Sequence, residues 1–138
     1  ALLIDPWLPR VILGQPHSNI EPEVTMIDKI YRGEPGGAVK VILPSGKSQP
    51  LRHLVLHSPT GFGWGYGGSG PADLALSILC DVLGERPSEK QIYHGRFKAY
   101  PHHQEFKYEF VARWEYTGGF EIDSDTIAAW LRKRGVEV

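Results

Sequence analysis

Ser58-Pro59-Thr60-Gly61-Phe62-Gly63-Trp64-Gly65-Tyr66-Gly67-Gly68-Ser69-Gly70-Pro71 runs directly into Ala72-Asp73-Leu74-Ala75-Leu76-Ser77-Ile78-Leu79-Cys80. Six of the ten residues from Gly61 to Gly70 are glycine, and Phe62, Trp64 and Tyr66 alternate with them. Glycine at every second position lets a backbone approach a neighbour or a ligand closely. If the segment is extended, the three rings share one face. Proline suits the first turn of a helix, so Gly70-Pro71 predicts a helix start, with Gly84 as its stop. Gly70 as N-cap would put Asp73 where its carboxylate reaches back to free N–H groups. Asp73, Ser77 and Asp81 recur every fourth residue as a polar stripe on an otherwise apolar helix, which predicts a helix enclosed by the rest of the domain.

Upstream, Ala38 to Leu43 is apolar and β-rich, Pro44-Ser45-Gly46-Lys47 signals a turn, and Leu51 to His57 is a second apolar run. Together they predict a β-hairpin, with Phe62 to Tyr66 as a short third strand. Downstream, Ser88 and Gln91 form a capping-box pattern, and Pro101 can open another helix. Phe106, Phe110 and Trp114 recur every four residues, predicting a helical stripe from His102 to Trp114. Thr117-Gly118-Gly119 turns the chain and Phe120-Glu121-Ile122 is extended. Asp123 or Ser124 then caps a last helix that buries Ile127, Trp130 and Leu131 and closes on Arg132, Lys133 and Arg134. The expected fold is a single small α+β domain, residues 28–138, with an antiparallel sheet of three or four short strands packed by about three helices. Residues 1–27 hold Pro6, Pro9, Pro16 and Pro22 and read as an extended N-terminal arm.

At 138 residues the chain can bury a core without staples. Its net charge of −1 gives no signature for nucleic acid. The Arg132-Lys133-Arg134 cluster suits a helix C-terminus. No apolar run approaches a membrane span, and Ala1-Leu2-Leu3-Ile4 lacks the build of a signal peptide. The single cysteine, Cys80, permits no intramolecular disulfide and reads as a small buried hydrophobe. A cytoplasmic protein is expected, with a homo-oligomer allowed.

Chemistry is sparse. The glycine run lacks the lysine and spacing of a phosphate loop and lacks the dinucleotide pattern. His53 and His57 would lie about 13 Å apart along a strand, and no Cys pair or HExxH occurs, so no metal and no cofactor is expected. Gly-x-Ser-x-Gly is absent. The leading expectation is therefore a non-enzymatic binding module. His57, Ser58, Phe62, Trp64, Tyr66 and Ser69 would contact a small, polar, nucleotide-like ligand or a protein partner. Two alternatives stand beside it: a small enzyme with His57 as base and Asp73 as its partner, or a packing motif with partner binding on the arm.

The run Ser58-Pro59-x-Gly61-Phe62-x-Trp64-Gly65-Tyr66-x-Gly68-Ser69-Gly70-Pro71-x-Asp73-Leu74-Ala75-Leu76-x-Ile78-Leu79 resembles the signature of a family of uncharacterised proteins, a domain of unknown function found in bacteria, phages and plasmids. Tyr31-Arg32-Gly33, a Phe-Lys segment (Phe106-Lys107, or Phe97-Lys98) and the helix from Ser124 to Arg132 are similar to its outer elements. The resemblance spans about residues 30 to 135. It implies one small domain, an accessory protein of mobile elements, and no established activity, cofactor or catalytic residue.

Overall fold

The computed structural model describes residues 28–138; the expected arm at 1–27 lies outside the described residues. Four strands form one antiparallel sheet: β1 (Ile30–Gly33), β2 (Val39–Ile42), β3 (Ser48–Pro50) and β4 (Phe120–Asp123), in the order β3-β2-β1-β4. Among the described residues four α-helices accompany it: α1 (Ser69–Leu83), α2 (Glu89–His94), α3 (His103–Glu109) and α4 (Ser124–Lys133). This is a small single-domain α+β fold, as the pattern predicts.

Sheet register sorts the faces. Tyr31 pairs with Val41 on one side and Ile122 on the other, and Gly33 with Val39 and Phe120. Tyr31, Gly33, Val39, Val41 and Phe120 are all buried. Between them Arg32 faces Lys40 and Glu121, and its Nε donates to the Glu121 carboxylate at 2.8 Å. Gly33 has no alternative: a Cβ there would run into the Phe120 ring.

Helix α1 is the axis of the core. Every residue from Gly70 to Cys80 is buried, the expected consequence of a helix apolar nearly all round. Gly84 ends it in the left-handed conformation, φ 69°, with its N–H on Asp81 and the Glu85 N–H on Cys80, a Schellman closure. Cys80 is fully enclosed, and burial with nearby Glu85 and Asp81 pushes its thiol up to about 12. The capping box at Ser88 and Gln91 is formed in both directions. Asp123 caps α4 by accepting from the Thr126 N–H at 2.7 Å. At its other end Arg134 donates to the Trp130 carbonyl at 3.0 Å and bridges to Glu105 and Glu109 of α3, its guanidinium 3.7 Å over the Trp130 ring.

Four sequence expectations are corrected. Leu51 to His57 is not a strand; β3 is the shorter Ser48–Pro50, and the ladder stops when the Leu51 N–H reaches the Val39 carbonyl. Phe62 to Tyr66 is irregular loop. The N-cap of α1 is Gly68, not Gly70, and no side chain caps it. The predicted helix from His102 to Trp114 breaks at Phe110, where φ −120° and ψ −66° leave the helical range, and a single tight turn, Val111–Arg113, follows.

Candidate functional site

The polar stripe of α1 explains the first and third corrections. Asp73 is wholly buried. Its carboxylate accepts the backbone N–H of Leu56 at 3.2 Å, of His57 at 2.8 Å and of Ser58 at 2.9 Å, and the His53 Nε2–H at 2.9 Å. One turn on, Ser77 Oγ accepts the Leu54 N–H at 2.9 Å. A further turn on, Asp81 accepts the Tyr31 hydroxyl at 2.6 Å and Lys29 Nζ at 3.2 Å. Burial, then the Asp81 charge, raise the Tyr31 phenol well above its ordinary value. Buried backbone donors must find acceptors. Here a helix supplies them in place of a neighbouring strand, so residues 54–58 cross α1 without joining the sheet.

The segment thus pinned leads into the glycine loop, whose three rings go to different places. Trp64 is core: its Nε1–H donates to the Gly118 carbonyl at 2.9 Å and its ring meets Phe120 edge-on at 5.0 Å. Phe62 is half-buried, its centroid 4.5 Å from that of His53. Tyr66 rests against a bed of glycines. A Cβ at Gly63 would sit 2.5 Å from its hydroxyl, one at Gly68 2.6 Å from its ring, and one at Gly70 3.0 Å from its hydroxyl. The residue remains 44 % exposed. The ring also covers the start of α1, the end where a phosphate would have docked.

Two more exposed tyrosines converge on this loop. Tyr116 meets Tyr66 edge-on at 5.8 Å, and its backbone lies 2.5 Å from where a Cβ of Gly65 would stand. Tyr108 of α3 borders Gly67. Its neighbour Lys107 is buried, donating Nζ to the Gly67 carbonyl at 3.1 Å and lying 4.1 Å over the Tyr108 ring. Lys107 and the two tyrosines escape a reading from the loop outward; the Phe106-Lys107 element is the one signal that pointed there.

The remaining candidates divide by burial. Ser58 is buried, its hydroxyl donating to the Gly61 carbonyl at 3.1 Å, while Ser69 is exposed. His57 is exposed, and its ring turns to His103, Nε2 to Nε2 at 3.1 Å. Asp73 takes the backbone N–H of His57, and the imidazole it holds is that of His53. The base and partner arrangement expected for His57 and Asp73 is therefore not formed. Among the described residues no three His, Cys, Asp or Glu side chains group to hold a metal ion, and no helix is long and apolar enough to cross a membrane. One cavity of about 100 Å³ lies between Lys29, Tyr31, Asp81 and α4, and an open groove of about 420 Å³ runs along Phe110, Trp114 and Ile122; the loop lines neither.

No curated protein and no solved structure matches the chain. A family model does, over residues 31–133, from the central tyrosine of β1 to the last turn of α4. That span holds the whole sheet beyond Ile30, the pinned segment, the glycine loop and all four helices, and the chain belongs to this family of unknown function (DUF6166).

Proposed function

We propose that the protein is a binding module whose contact face is the outer surface of the glycine loop, and that its partner is another protein. One observation carries this reading: Tyr66, Tyr108 and Tyr116, all exposed, converge from three separate segments on a loop fixed from beneath. Tyrosine supplies large contact area with few rotatable bonds and a hydrogen-bonding tip, the pattern of interface anchors. Asp73 and Trp64 hold the loop in shape before any partner arrives, which lowers the cost of ordering on binding. His57 and Ser69, exposed at the edges, add polar contacts; Phe62 contributes its open side; Ser58 and Trp64 support from below. The reading extends to an accessory role in mobile elements, in the cytoplasm, which is what the resemblance of the central run implies.

The double variant Tyr66→Ala/Tyr108→Ala tests this. Both residues are exposed, so circular dichroism and thermal melting should remain near wild type. Cross-linking and affinity capture from the host should recover a partner with wild type and lose it with the variant. Quantified on the isolated pair, the loss should be about 2 kcal/mol or more, roughly thirtyfold in Kd. Equal capture by both proteins overturns the reading. A small molecule released on denaturing the natively purified protein would replace the protein partner with a nucleotide-like ligand.

A further inference from the structure

Besides Lys107, which holds the Gly67 carbonyl, two histidines that meet end to end join α3 to the segment leading into the loop. His57 belongs to the segment pinned on Asp73, and His103 is the first residue of α3. Their Nε2 atoms are 3.1 Å apart and their ring centroids 5.3 Å, so the rings point at one another and do not lie face to face. His103 is almost wholly buried, and its Nδ1 is 2.6 Å from the Tyr100 carbonyl. A carbonyl only accepts, so Nδ1 carries the proton and neutral His103 presents a bare Nε2. His57 Nε2–H is then the donor between them.

We propose that this pair is a proton-counting latch: it stays closed with no added proton or with one, and it opens with two, parting the pinned segment from the start of α3. The second ring nitrogen of exposed His57 can hold one added proton without touching the contact between the rings. The Nε2–H bond to His103 survives and becomes charge-assisted. A second proton has only His103 Nε2 to occupy. Two N–H groups then confront each other with no acceptor between them, on two cations in ring contact.

The surroundings fix where the second step falls. Burial, a charged His57 and Lys107 on the same helix all oppose a charge on His103; the Tyr100 carbonyl and Asp73 of α1 favour it, and the balance lies below the ordinary value. Asp73 already serves His53 and three amides. Glu105, in the first turn of α3, is engaged by Arg134. Opening therefore belongs below about pH 6.5, the ordinary histidine midpoint. Because Tyr66 rides on the loop that this segment leads into and Tyr108 on α3, opening loosens the tyrosine face and leaves it tied through Lys107 and Gly67. That consequence rests on the proposed function, whereas the latch itself does not.

Imidazole NMR from pH 8 to pH 4, read together with hydrogen exchange at the Leu56, His57 and Ser58 amides, tests the latch without a partner. Two linked steps are expected, each felt by both rings, with amide protection falling only at the second. His57→Gln should uncouple them. Its side-chain amide can donate to neutral His103 and, turned over, accept from the charged ring, so His103 should titrate in one step while the loop amides stay protected. The latch is overturned if the two wild-type rings titrate independently, or if protection falls at the first step. It is equally overturned if protection persists until the whole protein unfolds, or falls identically in His57→Gln. Binding by the Tyr66 and Tyr108 variants is measured separately, so either idea can fail alone.

Discussion

Asp73 orders several distant backbone groups at once. Each of its oxygens accepts from backbone and one also accepts from His53, all inside the protein. Asparagine matches its shape but exchanges one acceptor for a donor, which would then confront N–H groups that have lost their partner. Hydrogen bonds to a charged acceptor contribute about 1.5–3 kcal/mol each, so Asp73→Asn should lower unfolding free energy by about 3 kcal/mol or more. Urea denaturation reads this as a lower midpoint at unchanged slope. A midpoint like that of wild type would mean that the pinned segment is held by packing alone. The stripe of Asp73, Ser77 and Asp81 is plain in the sequence, but its purpose is not. Spacing shows that three polar groups share a helix face, and cannot show which distant backbone will use them.

At the level of elements, legibility followed local chemistry. Pro71 and Gly84 bracket α1, Ser88 and Gln91 mark α2, and Asp123 opens α4 because caps and breakers act within a few residues. Leu51 to His57 misled because its apolar character is real: Leu51 and Leu54 are buried. Burial against a helix and burial in a sheet leave the same composition, and only the destination of the backbone N–H groups separates them. The glycine run was legible as a place of close approach, though not as a seat for Tyr66, since an alternating pattern reads as a strand until the positive φ at Gly61 and Gly65 is known. These glycines differ in consequence. Gly68→Ala meets the edge of a ring that can swing outward, a shape change of about 1–3 kcal/mol. Gly65→Ala meets the Tyr116 backbone at 2.5 Å with φ at +85°, and neither can yield. Thermal melting should therefore place Gly65→Ala clearly below Gly68→Ala, and the reverse order would mean that the loop is softer than its contacts imply.

Across the whole molecule, acid should cost stability through His103. Its folded value is depressed by burial, while in the unfolded chain it returns to about 6.5. Between those values the unfolded chain binds the extra proton, so this contribution is fully present above about pH 6.5 and is lost as pH falls toward the folded value. Urea midpoints should drop from pH 7.5 to 5.5 in wild type, and that part of the drop should vanish in His103→Gln; a profile unchanged by the substitution contradicts it. The sheet carries a different consequence. Strand β1 takes β2 as a neighbour after a short turn, but its other neighbour, β4, arrives so late that the Arg32 and Glu121 pair spans 89 residues. Closing so long a loop is slow to be rewarded. On the ribosome the emerging chain must therefore wait, with the flank of β1 uncovered, until β4 is synthesised 89 residues further on. In that interval any extended segment that can add to the open flank competes with β4, which makes the nascent chain far more prone to aggregation than the finished protein.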